Sequence, residues 1–75
     1  MDATNIIREI MKREGVAGTT LSTQMGMSYN YISSKLTQKK MLTDVFARIC
    51  DALDYDVIAR NRYDGAEFFL SPRDE

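Results

Sequence analysis

The 75-residue sequence predicts a mainly α chain, four helices followed by a C-terminal β-hairpin. Three observations carry this. Apolar residues recur at helical spacing in separate stretches up to residue 54. After Tyr55 the period changes from 3.6 to 2. Between two of the helical stretches sits Gly26-Met27-Ser28, a link so short that its flanking helices must cross steeply. The length suits one domain over residues 1–75, with a helical core at 3–54, a hairpin at 55–70 and a tail at 71–75.

The first helix is expected from residue 3 to 14. Asp2 or Thr4 can cap it, Ile6, Ile7, Ile10 and Met11 form its inward stripe, Gly15 stops it, and Val16 folds back onto the core. Arg8, Glu9, Lys12 and Arg13 lie off that stripe as a solvated face, from which the basic residues can also reach phosphate. A second helix begins near Gly18–Thr20 and ends at Met25, with Leu21 and Met25 four apart. Gly26 is suited to a left-handed helix stop, Met27 to filling the corner, and Ser28 to capping the next helix. That third helix runs from Tyr29 to Leu36 or Thr37, with Ile32 and Leu36 inward. A fourth begins at Thr43 as N-cap, with Asp44 in its first turn. Leu42, Val45, Phe46, Ile49, Cys50 and Leu53 make the strongest helical period in the chain, with Phe46 the largest core contributor.

Val57-Ile58-Ala59-Arg60 and Glu67-Phe68-Phe69-Leu70 then read as two strands about an Asp64-Gly65 turn. A two-residue loop sets Arg62 opposite Glu67 and Arg60 opposite Phe69. Val57, Ala59, Phe68 and Leu70 share one face; Ile58, Phe69, Arg60, Arg62 and Glu67 share the other. An isolated hairpin is marginal in water, so one face is expected to pack on the helices. A chain this short buries only about 60% of its unfolded surface, which favours a homodimer. The hairpin's free edge with Ile58, Arg60 and Phe69 is the expected interface. The alternative is that the hairpin lids the core with Phe68 and Leu70 inward.

Composition excludes several functions. The chain has one cysteine and no histidine, no recognisable pair of carboxylates and no glycine-rich phosphate loop, so neither an enzyme nor a bound metal or cofactor is expected. Cys50 falls on an apolar face and reads as core filler. A lone cysteine fits a reducing cytoplasm. The absence of a basic-then-apolar leader and of a long apolar run points away from secretion and from the membrane.

A net charge of −1 looks unsuited to a polyanion partner until it is divided along the chain. Residues 15–43 contain Lys35, Lys39 and Lys40 and no acid, whereas residues 44–75 hold eight acids against four bases. Salt screens charges beyond about 8–10 Å, so the local sign governs contact. On the third helix Asn30, Ser33, Ser34 and Thr37 point away from Ile32, and all are small or amide-bearing. Ser, Thr and Asn are weak helix formers, and a face kept only for stability favours Glu, Lys or Ala. Asn pairs bidentately with adenine, and Ser or Thr meets either base or phosphate. The candidate base readers are therefore Tyr29, Asn30, Ser33 and Ser34. The candidate phosphate contacts are Thr19, Thr20, Ser28, Lys35, Thr37, Lys39 and Lys40. Thr19 and Thr20 also suit simple helix capping, and Tyr31 suits packing.

Leu21-Ser22, Gly26-Met27-Ser28 and Tyr31-Ile32-Ser33 resemble the L-A, G-V-S and Y-I-S of phage-repressor-type (Cro-like, XRE-family) helix-turn-helix domains. The likeness spans residues 5–54. Ser22 stands where the family usually has Ala, Gly18 where a Gln often opens the helix, Lys35 where an apolar residue is usual, and Asp54 where Gly is common. The resemblance implies a four-helix phage-repressor-like fold. It also implies a sequence-specific double-stranded DNA-binding transcriptional regulator, a repressor on a palindromic operator, working as a dimer in the cytoplasm of a bacterium or of a phage's host. The recognition helix would be residues 29–37, in the major groove. The acidic C-terminal third and the hairpin edge motivate an alternative, a protein-binding module such as an antitoxin or a phage-encoded inhibitor of a host protein.

Overall fold

Three of the four helices end in the same way, and those endings set the course of the chain. The computed structural model describes residues 1–72; Arg73-Asp74-Glu75 of the expected tail lie outside the described residues. Helix α1 (Ala3–Glu14) closes with Val16 N–H donating to Met11 C=O and Gly15 N–H to Lys12 C=O, Gly15 being left-handed at φ 67°. Helix α2 (Gly18–Gln24) repeats this: Met27 N–H donates to Ser22 C=O and Gly26 N–H to Thr23 C=O, with Gly26 at φ 74°. Helix α4 (Thr43–Ala52) does so with Tyr55 to Cys50 and Asp54 to Asp51, Asp54 taking the left-handed position at φ 64° without a glycine. Each is a paired reverse bond that satisfies carbonyls the helix itself leaves open. Between α2 and α4 lies the short α3 (Tyr31–Leu36).

At the other ends, the sequence is read with mixed success. Asp2 caps α1 as expected, its carboxylate accepting from Asn5 N–H at 2.8 Å. Thr43 is not a cap: it is the first residue of α4, Leu42 holds the cap position, and the Asp44 carboxylate takes the Val45 N–H at 2.9 Å. Helix α3 begins at Tyr31, two residues later than its apolar spacing suggests, because Tyr31 N–H donates to Ser28 C=O and turns the chain first.

One residue or more from every helix meets in the core: Ile7 of α1, Leu21 of α2, Ile32 of α3, and Ile49, Cys50 and the following Leu53 at α4. Each fully buried branched aliphatic side chain contributes about 1.5–3 kcal/mol relative to exposure. Phe46 is not the largest contributor; it is half-buried at the edge, and the centre is filled by isoleucines from three helices. Leu42 leaves the α4 stripe and is 70% exposed, since at the cap position it precedes the helix whose period seemed to include it. Met27 is 40% exposed and lines a shallow surface groove instead of filling the corner. Cys50 is buried, and burial pushes its thiol up to about 11.

Strands β1 (Val57–Arg60) and β2 (Glu67–Leu70) form an antiparallel hairpin. The register is Val57 with Leu70, Ile58 with Phe69, Ala59 with Phe68 and Arg60 with Glu67. This corrects the expected pairing of Arg60 with Phe69 and of Arg62 with Glu67. The connection is not the two residues Asp64-Gly65 but a six-residue loop, 61–66, organised by Asn61. Its side-chain carbonyl accepts from Tyr63 N–H and Asp64 N–H, and Gly65 N–H returns to its backbone carbonyl. The displacement is two residues, so the face of every strand side chain is unchanged. The larger correction concerns packing. Neither face is covered by helices: Val57 and Tyr55 touch the core, whereas Phe68 is 75% and Phe69 63% exposed. An inward Phe68 is therefore ruled out. Among the described residues, no helix is long and apolar enough to cross a membrane.

Candidate nucleic-acid interface

The α2–α3 pair is held by one buried hydroxyl. Ser22, fully enclosed, donates to Gly18 C=O at 2.8 Å and accepts from Ile32 N–H at 3.0 Å. The second residue of α3 thus has its open N–H satisfied by a side chain of α2. Ser28, expected to cap α3, does not; its hydroxyl donates to the Asn30 side-chain carbonyl at 2.9 Å, and Asn30 itself occupies the cap position without a side-chain cap bond. Close approach completes the joint, since a Cβ added at Gly18 would stand 3.7 Å from Ile32. Sequence reasoning took Ser22 only as small. The available signal was a hydroxyl beside Leu21 in the inward stripe, where an isolated polar group needs a partner.

Helix α3 is pinned at its far end too. The Arg8 guanidinium of α1 donates to Leu36 C=O at 3.2 Å, a cation placed at the negative end of the helix dipole. Arg8 had been read as part of a solvated face. With Ile32 buried and both ends tied, the outer side of α3 and the turn before it form a firmly positioned surface.

That surface carries Ser28, Tyr29, Asn30, Ser33, Ser34 and Thr37, all exposed, with Tyr29 73% open to solvent. Tyr29 and Asn30 belong to the turn and not to the helix face. Asn30 is the hub: its side-chain oxygen takes the Ser28 hydroxyl, and its backbone carbonyl takes the Ser33 hydroxyl at 3.0 Å and the Ser34 N–H at 3.0 Å. These bonds orient the Asn30 amide while its NH2 has no acceptor among the described residues. Thr37 folds its hydroxyl back to Ser34 C=O at 2.8 Å, keeping lone pairs outward.

The cations lie downstream. Lys35 is half-buried, its ammonium 5.5 Å from the Tyr31 ring centroid, which agrees with Tyr31 as a packing residue. Lys39 and Lys40 are exposed on the loop that leads to α4. Among the described residues the ion pairs are Arg13–Glu14 and Arg60–Glu67, so none of these lysines is neutralised by a carboxylate. Thr19 and Thr20 are exposed in the first turn of α2, which lacks a side-chain cap. Thr19 and Thr20 are thus not caps, and their N–H groups precede the first helical bond, from Leu21 to Ala17. Ile58, Arg60 and Phe69 stand apart on the hairpin.

Comparison with protein-family models, with curated proteins and with solved structures gives no match.

Proposed function

We propose that this chain is a sequence-specific double-stranded DNA-binding protein built on a phage-repressor-like helix-turn-helix, and that it regulates transcription by occupying promoter DNA. The carrying observation is the acid-free surface of residues 28–37, small and polar, on a helix whose two ends are tied by Ser22 and Arg8. A reading helix must meet base edges with short donors and acceptors and without carboxylates facing phosphate. In this reading α3 and its preceding turn enter the major groove. Asn30 meets an adenine edge, with Tyr29, Ser33 and Ser34 beside it. Thr19, Thr20, Ser28 and Thr37 contact phosphates with hydroxyl or N–H groups, and Lys35, Lys39 and Lys40 with charge. One copy reads a half-site, and a palindromic operator calls for a two-fold pair. Such a repressor works in the cytoplasm, where the DNA is.

Asn30 tests the assignment. Asn30→Ala is expected to lose about 1–3 kcal/mol against the preferred duplex, with relaxed preference at one base pair. Ser34→Ala acts in the same direction, less strongly. Fluorescence anisotropy on preferred and single-substituted duplexes reads both effects, with circular dichroism checking the fold. Full affinity and unchanged base preference in both folded variants would remove α3 from the recognition surface.

A further inference from the structure

The hairpin and the helices leave a patch and a recess side by side. Beneath β1, between α1 and α4, lies an apolar cleft of about 290 Å³ formed by Ile6, Ile10, Phe46, Cys50, Val57 and Ile58. Ile58 is both the wall of this cleft and the cross-strand partner of Phe69, which is 63% exposed on the same hairpin face. The cleft's one charged lining residue is Asp56, whereas the face beside Phe69 carries Arg60. An apolar projection flanked by a cation thus adjoins an apolar recess flanked by an anion.

We propose that a second copy of this chain occupies this cleft, the two copies exchanging Phe69 side chains about a two-fold axis near Ile58. A two-fold interface joins the same patch on both subunits, so it needs a surface that carries both the knob and the hole, as this one does. Each Phe69 enters the other copy's cleft, and each Arg60 approaches the other copy's Asp56. Arg60 is available for this, because its pairing with Glu67 on its own hairpin is loose, at 4.0 Å with the Arg60 side chain 65% exposed. The area also fits. Ile58, Phe68, Phe69 and Leu70 are all at least 39% exposed on eight strand residues, a concentration beyond the isolated apolar residues normal for a monomer's surface. Adding the cleft brings the surface toward the roughly 800 Å² per partner of a stable association. This inference goes beyond the DNA-binding reading and does not depend on it.

Sedimentation of the full chain without DNA tests it, so that failure here leaves DNA binding to be judged separately. The wild-type chain is expected to show a concentration-dependent monomer–dimer equilibrium. Phe69→Arg should weaken the dimer about 100-fold, as expected for a central aromatic anchor. Phe68→Arg, on the opposite hairpin face, should change it less than about threefold. Ile6→Glu in the cleft should also dissociate the homodimer. Mixing F69R with I6E should restore a dimer, because one junction then pairs guanidinium with carboxylate and the other keeps the native contact. If I6E does not fold, the contrast between F69R and F68R decides. A wild-type chain that stays monomeric up to several hundred micromolar overturns the proposal and leaves the patch to a different protein. Equal effects of F68R and F69R overturn it as well.

Discussion

Ser22→Ala is expected to lower the free energy of unfolding by about 1–3 kcal/mol, the cost of leaving a buried N–H without an acceptor. For a domain of this size each 1 kcal/mol lowers the melting temperature by about 4–8 °C. Ser22 loses three atoms at most, and by volume alone the change would be mild. The effect arises because Ile32 N–H is enclosed at the helix joint and has the Ser22 hydroxyl at 3.0 Å as its acceptor. Ser28 is the natural control. Its hydroxyl serves the exposed Asn30 side chain, so Ser28→Ala should change stability by less than about 0.5 kcal/mol. Thermal or urea unfolding of both variants checks the contrast, and amide exchange at Ile32 should accelerate only in the Ser22 variant. Equal stability of the two would mean that Ser22 does not join the helices.

The second large effect concerns charge. Replacing Lys35, Lys39 and Lys40 together by Ala should weaken binding to every duplex, preferred or not. It should also lower the slope of log K against log salt by about 0.9 for each lost phosphate contact, or about 2.7 if all three contribute. Uniform loss is the signature, since phosphate contacts position the protein without reading sequence. Lys35 also lies over the Tyr31 ring, an interaction worth about 0.5–1 kcal/mol at an exposed site. Unfolding of the triple variant must therefore be measured beside its binding. An unchanged salt slope in a folded triple variant would put the DNA-facing surface elsewhere.

Much of this fold is legible in the sequence because helix stops and apolar periods are local signals. Gly15 and Gly26 mark left-handed ends, and Ile7, Leu21, Ile32 and Ile49 fall on their inward stripes. Strand faces are equally legible, since period 2 survives a register change of two residues. What is not legible depends on partners distant in the chain or on competition between turns. Ser22 and Ile32 are ten residues apart, and Arg8 and Leu36 are twenty-eight apart, so neither bond has a local pattern. The hairpin was assigned a tight Asp64-Gly65 turn from its commonest use, whereas Asn61 captures two N–H groups and widens the loop. The late start of α3 has a similar cause: the turn at Ser28 takes Tyr31 N–H first, which moves Tyr29 and Asn30 off the helix. The candidate reading residues remain on one exposed surface despite that shift, because the turn and the outer side of α3 are contiguous.

DNA recognition by this surface is tested most directly by selection of the full wild-type chain against random-sequence duplexes, followed by salt titration of the winners. The account predicts enrichment of a two-fold symmetric motif with half-sites about 10–10.5 base pairs apart. It predicts affinity for that motif at least about a thousandfold above that for a scrambled duplex, falling linearly with salt on logarithmic axes. A library that emerges unenriched, with weak binding insensitive to salt, would contradict it.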